Sequence, residues 1–198
     1  MCIQRKNSKI YIDQTVYLQK VLERFGQTNA RFAATPLPAG YKPTENKDPA
    51  DSSLRSKFQS VIGSLLYIML GTRPDIAYAV TKMSQFAVNP SREHLDKALY
   101  ICRYLAGTSN YALVYDGLSN KGLLAYTDSD WAADPIKRRS VTGYFFKLAD
   151  GIISWQSPVI CKRKRNGESA SRRRGMLRRR LLEQNFLFRT ANHSCQKY

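Results

Sequence analysis

Between residues 14 and 25, Tyr17, Leu18, Val21, Leu22 and Phe25 recur at three- and four-residue intervals, the spacing that lines one face of an α-helix. Asp13 stands where an N-cap belongs and Gly26 where a C-terminal cap belongs, so the pattern predicts an amphipathic helix over 14–25. A short alternating piece, Lys9-Ile10-Tyr11-Ile12, leads into it. Residues 35–53 then carry Pro36, Pro38, Pro43 and Pro49 with Gly40 among polar neighbours. Proline lacks a backbone donor and restricts the residue before it, which predicts a loop or linker. From 55 to 106 helical spacing returns in three stripes. Phe58, Ile62, Leu65, Leu66 and Met69 form the first; Ile76, Ala79, Val80 and Met83 form the second, opened by Pro74. Asn89-Pro90-Ser91 interrupts the pattern, Ser91 is placed to cap, and Leu95, Leu99, Cys102 and Leu105 complete the third before Gly107. These stripes predict a packed helical core. His94 reads as a solvated or locally bonded side chain, because no second ligand type stands at helical spacing beside it.

The period changes after residue 123. A short apolar run ends in Asp128 and Asp130, two positions apart, and in a strand such a pair shares a side. Two alternating runs follow, 142–148 and 152–156, joined by Ala149-Asp150-Gly151. An Asp-Gly between alternating runs predicts a hairpin in which Gly supplies the positive φ of a tight turn. Three consecutive strands are therefore expected, with acid at the end of the first. The fold class is α+β.

Charge changes the picture more than composition does. Across 198 residues, 32 Lys and Arg face 15 Asp and Glu, a formal charge of +17, which suits a polyanionic partner. The excess is uneven: residues 158–198 hold 12 basic and 2 acidic side chains. Cys2, Cys102, Cys161 and Cys195 have no paired spacing and the only histidines are His94 and His193, so neither a zinc ligand set nor a disulfide framework is expected. The N-terminus has no apolar signal core, and no apolar run approaches the ~18 residues of a membrane span. The expectation is an intracellular chain, cytoplasmic or nuclear, with no membrane partner.

The strand region carries Tyr126-Thr127-Asp128-Ser129-Asp130-Trp131-Ala132, then Arg139-Ser140-Val141-Thr142-Gly143-Tyr144, then Ile153-Ser154-Trp155-Gln156-Ser157. In that order and spacing these runs resemble the start of the ribonuclease H domain of copia-type LTR retrotransposon Pol polyproteins. Further back, Tyr17 to Phe25, Thr35-Pro36-Leu37, Ile62-Gly63-Ser64-Leu65-Leu66-Tyr67, Thr72-Arg73-Pro74-Asp75-Ile76-Ala77-Tyr78-Ala79-Val80 and Arg103-Tyr104-Leu105-Ala106-Gly107-Thr108 resemble the segment between polymerase palm and ribonuclease H in the same polyproteins. The resemblance implies the divisions 1–34 for the end of the reverse transcriptase, 35–53 for a Pro-rich linker, 54–118 for a helical connection region, and 119–157 for the N-terminal part of a ribonuclease H-like sheet. It implies Mg2+ or Mn2+ as the parent's cofactor and an RNA–DNA hybrid as its partner.

Hybrid cleavage is an in-line phosphoryl displacement in which two divalent ions roughly 4 Å apart activate water and stabilise the leaving oxygen. Several carboxylates are needed to hold such a pair. The resemblance places the first metal ligand on Asp128, with Asp130 as a further candidate. After Ser157 the likeness stops. Where the family continues into a helix bearing Glu-Ala-Glu-Tyr, this sequence runs into Pro158-Val159-Ile160-Cys161, and neither Glu168 nor Glu183 stands in matching context. The polymerase's Tyr-x-Asp-Asp turn is absent as well. Catalysis by this chain alone is therefore not expected, nor is a tightly bound metal ion.

The last stretch holds Lys162-Arg163-Lys164-Arg165, Arg172-Arg173-Arg174 and Arg178-Arg179-Arg180. One reading makes these clusters a non-catalytic nucleic-acid arm that neutralises phosphates without regard to sequence. The other makes 158–198 a tail translated out of register, which the gene's nucleotide sequence would decide. Either way the charge predicts disorder, since repelling groups do not offset an ordering cost of about 1–2 kcal/mol per residue.

Overall fold

The computed structural model describes residues 1–130, 140–157 and 159–160. Its first sheet begins with β1 (Cys2–Lys6) and β2 (Lys9–Asp13), an antiparallel pair turned by Asn7 and Ser8. Both turn residues have positive φ, 48° and 61°, as the two-residue turn matching strand twist requires. On its other side β2 pairs with β3 (Leu113–Asp116), giving the order β1-β2-β3. The chain leaves helix at Gly107, where the stripes that begin at 55 are expected to end, and returns to the sheet. A four-residue strand offers too little alternation to read, and its partner lies about a hundred residues earlier.

Helix α1 (Thr15–Arg24) buries Leu18, Val21 and Leu22, the face its spacing predicts. Its C-terminus is a Schellman turn. Gly26 has φ 66°, Gln27 N–H donates to Leu22 C=O at 2.8 Å and Gly26 N–H to Glu23 C=O at 3.1 Å. At the other end Gln14 holds the cap position, and Asp13 acts one residue earlier by accepting the Thr15 N–H at 3.0 Å. Asp13 is already committed to β2, which displaces it from the cap the sequence predicts.

No helix or strand occurs between Phe25 and Asp51, in accord with the Pro-rich composition. Helix α2 (Ser52–Gly71), capped by the Asp51 side chain, packs against α3 (Ala77–Ser84) and α4 (Arg92–Gly107). Phe58, Leu65, Ile68, Ile76, Met83, Leu95 and Leu105 are fully buried at the centre. Burying one such side chain stabilises by about 1.5–3 kcal/mol. Pro74 opens a single 3-10 turn, Pro74–Ile76, rather than α3 itself. No helix among the described residues is long and apolar enough to cross a membrane.

His94 is buried, which corrects the solvated alternative; its bonding is local. Nδ1 accepts the Ser91 N–H at 3.0 Å while Ser91 Oγ accepts the His94 N–H at 3.2 Å, a capping box with His in the place usually taken by Glu or Gln. The imidazole stacks on Phe86 with centroids 4.0 Å apart. The Pro-rich segment is fastened nearby through Asn89, whose Oδ1 accepts Ala50 N–H at 2.7 Å and whose Nδ2 donates to Asn46 C=O at 3.0 Å.

The second sheet contains β4 (Leu124–Asp130), β5 (Ser140–Leu148) and β6 (Gly151–Gln156) in that order, all antiparallel. The hairpin lies where the sequence predicts it, but its chemistry differs. Ala149 and Asp150, with φ 50° and 60°, are the two central turn residues, and Gly151 already belongs to β6. What Gly151 provides is space, since a Cβ there would come within 2.3 Å of Tyr115 Cδ1 and 2.7 Å of Val114 O. A further strand, β7 (Val159–Ile160), pairs with Ser140 and Val141 at the start of β5. The sheet therefore continues past Ser157, the point where the likeness ends. The three basic clusters between 162 and 180 lie outside the described residues, as does the expectation of disorder there.

Candidate functional site

Asp128 sits in β4 opposite Gly143 of β5 and is exposed. Two residues earlier Tyr126 stacks on Phe145, centroids 4.6 Å apart, which pins this end of the strand to its neighbour. Asp130 ends β4 in register with Val141. Residues 131–139, which follow it, lie outside the described residues. Among the described residues no group of three His, Cys, Asp or Glu side chains is placed to hold a metal ion. Asp128 is the one carboxylate placed here among the described side chains, and one carboxylate by itself does not hold two ions, which need several oxygen ligands converging on both.

The most developed polar constellation lies instead where the α2–α3 junction meets the end of α4. Arg73 is 2% exposed and forms a fork with Asp75, Nε to Oδ1 at 3.0 Å and Nη2 to Oδ2 at 2.7 Å. Its Nη1 donates to Thr108 C=O at 2.9 Å and its Nη2 to Thr108 Oγ1 at 2.5 Å. Tyr104 Oη donates to Asp75 Oδ2 at 2.9 Å, and the guanidinium lies 5.7 Å from the Tyr104 ring and 5.3 Å from the Tyr111 ring. Burial, and then the Asp75 charge, push the Tyr104 hydroxyl well above its ordinary range. With guanidinium and carboxylate both occupied, this cluster joins elements rather than meeting a substrate. Its hydrogen-bonded members stand in two of the motif runs, Thr72 to Val80 and Arg103 to Thr108, but nothing in the sequence joins them.

Among the described residues, hydrogen bonds fasten the acidic sheet to the rest. Asp116 N–H donates to Ala149 C=O at 2.8 Å, Tyr115 Oη to Ile152 C=O at 2.7 Å, and Trp155 Nε1 to Met69 C=O at 3.1 Å. Trp155 also packs against the helical core. Around the hairpin, Lys121 Nζ and Ser119 Oγ each donate to Asp150 at 2.9 Å, and these bonds hold its carboxyl below the usual range. Lys9 does the same for Asp116, with which it is ion-paired. Lys147 is buried in β5, and burial pulls its ammonium below the usual lysine range. In the helical core the Cys102 thiol is pushed up to about 12 by burial, which makes it inert rather than nucleophilic.

Comparison with known proteins bears on this arrangement directly. The chain is 40% identical over 161 residues to the retrovirus-related Pol polyprotein from transposon TNT 1-94 of Nicotiana tabacum, covering 79% of this chain and 12% of that protein. It is 35% identical over 159 residues to the Pol polyprotein from transposon RE1 of Arabidopsis thaliana, covering 78% of this chain and 10% of the relative. The chain belongs to the retrovirus-related Pol polyproteins of transposons. It spans about a tenth of the length of those two relatives. The chain is also 42% identical over 100 residues to the secreted RxLR effector protein 161 of Plasmopara viticola, covering half of this chain and 70% of that protein. No family model and no solved structure matches the chain. The two aspartates at the end of β4 are a feature of the sequence. The fastening of that strand's sheet to a helical core is visible only in the fold.

Proposed function

We propose that this chain is the stretch of a copia-type Pol polyprotein that joins the end of the reverse transcriptase to the beginning of ribonuclease H, and that it performs no chemical step alone. One observation carries the reading. The sheet bearing Asp128 is fastened to the helical core through Tyr115, Ala149 and Trp155, so the acidic strand is built as a continuation of the helical region. In the parent polyprotein such a stretch would carry the hybrid from the site of RNA-templated synthesis toward the site that removes the RNA strand. Asp128 would supply one ligand to Mg2+ or Mn2+, and the other carboxylates would have to come from elsewhere. The test is incubation of the whole chain with a labelled RNA–DNA hybrid in magnesium or manganese, beside Asp128→Asn. No turnover is expected from either protein. Cleavage that disappears on substitution would overturn the inactive reading, because it requires a complete ligand set around Asp128.

A further inference from the structure

Beyond the acidic strand and the basic clusters, the helical region carries a basic and aromatic surface of its own. Residues 31–46 run along α4, from the end of that helix toward its start. Arg103 Nε donates to Arg31 C=O at 2.7 Å and Ala33 N–H to Arg103 C=O at 3.5 Å, which fixes the first part of the segment at the end of the helix. Farther back, Lys97 Nζ lies 5.1 Å from the Tyr41 ring, and Lys82 Nζ donates to Tyr41 C=O at 3.2 Å and to Tyr78 Oη at 3.0 Å. Lys97, Tyr100 and Arg103 are successive neighbours at three-residue spacing, with the Arg103 guanidinium 5.3 Å from the Tyr100 ring. The result is a row of cation–ring pairs along α4: Arg103 with Tyr100, Lys97 with Tyr41 and Lys82 with Tyr78.

Its charge is one-sided. Residues 24–44 contain Arg24, Arg31 and Lys42 and no acid, and residues 97–107 likewise contain Lys97 and Arg103 and no acid. Glu93, beside the Tyr41 hydroxyl, marks one end, and Asp96 is turned to Arg92 at 3.9 Å. At the other end Phe32 is 65% exposed, lying over Gly107, where an added Cβ would come within 3.2 Å of it. A large ring left this exposed, next to Arg31 in the chain, is poorly explained by packing. It is what an unstacked base needs, because every base offers a face for stacking while the phosphates follow the cations. From Lys97 to Arg103 the helix advances about 9 Å, room for two or three phosphates of one strand.

We propose that the strip formed by Arg31, Phe32, Lys97, Tyr100 and Arg103 binds single-stranded nucleic acid, with Phe32 as the stacking platform. The proposal rests on the Pol reading only for the choice of nucleic acid as the polyanion; the cleavage test on Asp128 succeeds or fails independently. The experiment uses the whole chain and a single-stranded RNA containing 4-thiouridine, cross-linked by light and mapped by peptide mass. Adducts on the peptides holding Phe32 or Tyr100 are expected. In parallel, affinity for the same strand is followed against salt. Arg31→Gln with Lys97→Gln and Arg103→Gln should make the slope of log affinity against log salt shallower by about 2, at about 0.7 per contact. Phe32→Ala, on an exposed ring, should leave the melting temperature unchanged and weaken single-strand binding by about fivefold or more. Adducts confined to 158–198 together with an unchanged slope would overturn the proposal. So would equal loss of binding to phosphatidylserine vesicles and to RNA in the triple variant without any adduct on the strip, which would mark a general polyanion surface.

Discussion

The substitution Gly151→Ala tests whether the two sheets pack as described. An added Cβ would lie 2.3 Å from Tyr115 Cδ1, 2.6 Å from Cε1 and 2.7 Å from Val114 O. Carbon atoms sit comfortably at about 3.5–4.0 Å, so the ring must move by more than about 1 Å. Moving the ring alone does not suffice, because Val114 O is backbone in β3, and Tyr115 Oη is held to Ile152 C=O at 2.7 Å. Overpacking of this kind costs about 1–3 kcal/mol. Gly143→Ala in β5 is the control: nothing lies within 4 Å of its added Cβ, and the loss of unfolded-chain freedom should stabilise by about 0.4–1 kcal/mol. For a chain of this length about 1 kcal/mol moves the melting temperature by about 2–4 °C. Circular dichroism melts should therefore place Gly151→Ala about 3–10 °C below the parent, with Gly143→Ala at or slightly above it. In a Tyr115→Leu background the penalty should shrink by at least about 0.5 kcal/mol, since the two sites share a contact. Equal melting temperatures for the two alanine variants would refute the packing of β3 against β6.

Asp75→Asn leaves the Arg73 guanidinium buried without its carboxylate and should destabilise by about 3–5 kcal/mol, whereas Arg73→Met with Asp75→Leu should cost less than Asp75→Asn alone; urea melts of the three proteins decide it. The pH dependence follows from His94, which burial holds below its ordinary value near 6.5 and whose Nδ1 must stay unprotonated to accept the Ser91 N–H. Because the folded-state value is depressed, the unfolded chain takes up the proton first, so stability is full above about pH 6.5 and falls as pH drops below it. His94→Gln should flatten that fall, and a melting temperature that drops equally in both proteins between pH 7.5 and 5.5 would contradict the assignment. Cys102 should resist maleimide at pH 8 in the folded chain and react in urea, as followed by peptide mass.

The sequence by itself determined what depends on near neighbours. The stripes through Phe58, Leu65, Val80, Met83, Leu95 and Leu105 fix three helices because 3.6-residue periodicity and terminal caps are local, and each of those side chains is buried in the core. The alternation around Asp150 likewise marked a hairpin whose turn lies at Ala149 and Asp150. Asp128 and its run were legible for a further reason: the order of short motifs, more than any one residue, carried the Pol relationship.

Only the tertiary structure decided the rest. Strands β1 and β3 meet across β2 through pairings such as Ile12 with Leu113, and a four-residue strand has no identity until its partner is present. Gly151 was expected to supply a positive φ and instead supplies a space for Tyr115, a role set by a ring from another sheet. Arg73 and Trp155 read as ordinary motif residues until folding brings Thr108 and Asp75 to the one and Met69 C=O to the other. The basic-aromatic strip has the same origin. Arg31 and Arg103 are remote in sequence, and only the path of the chain along α4 brings the Arg103 guanidinium to the Arg31 backbone carbonyl.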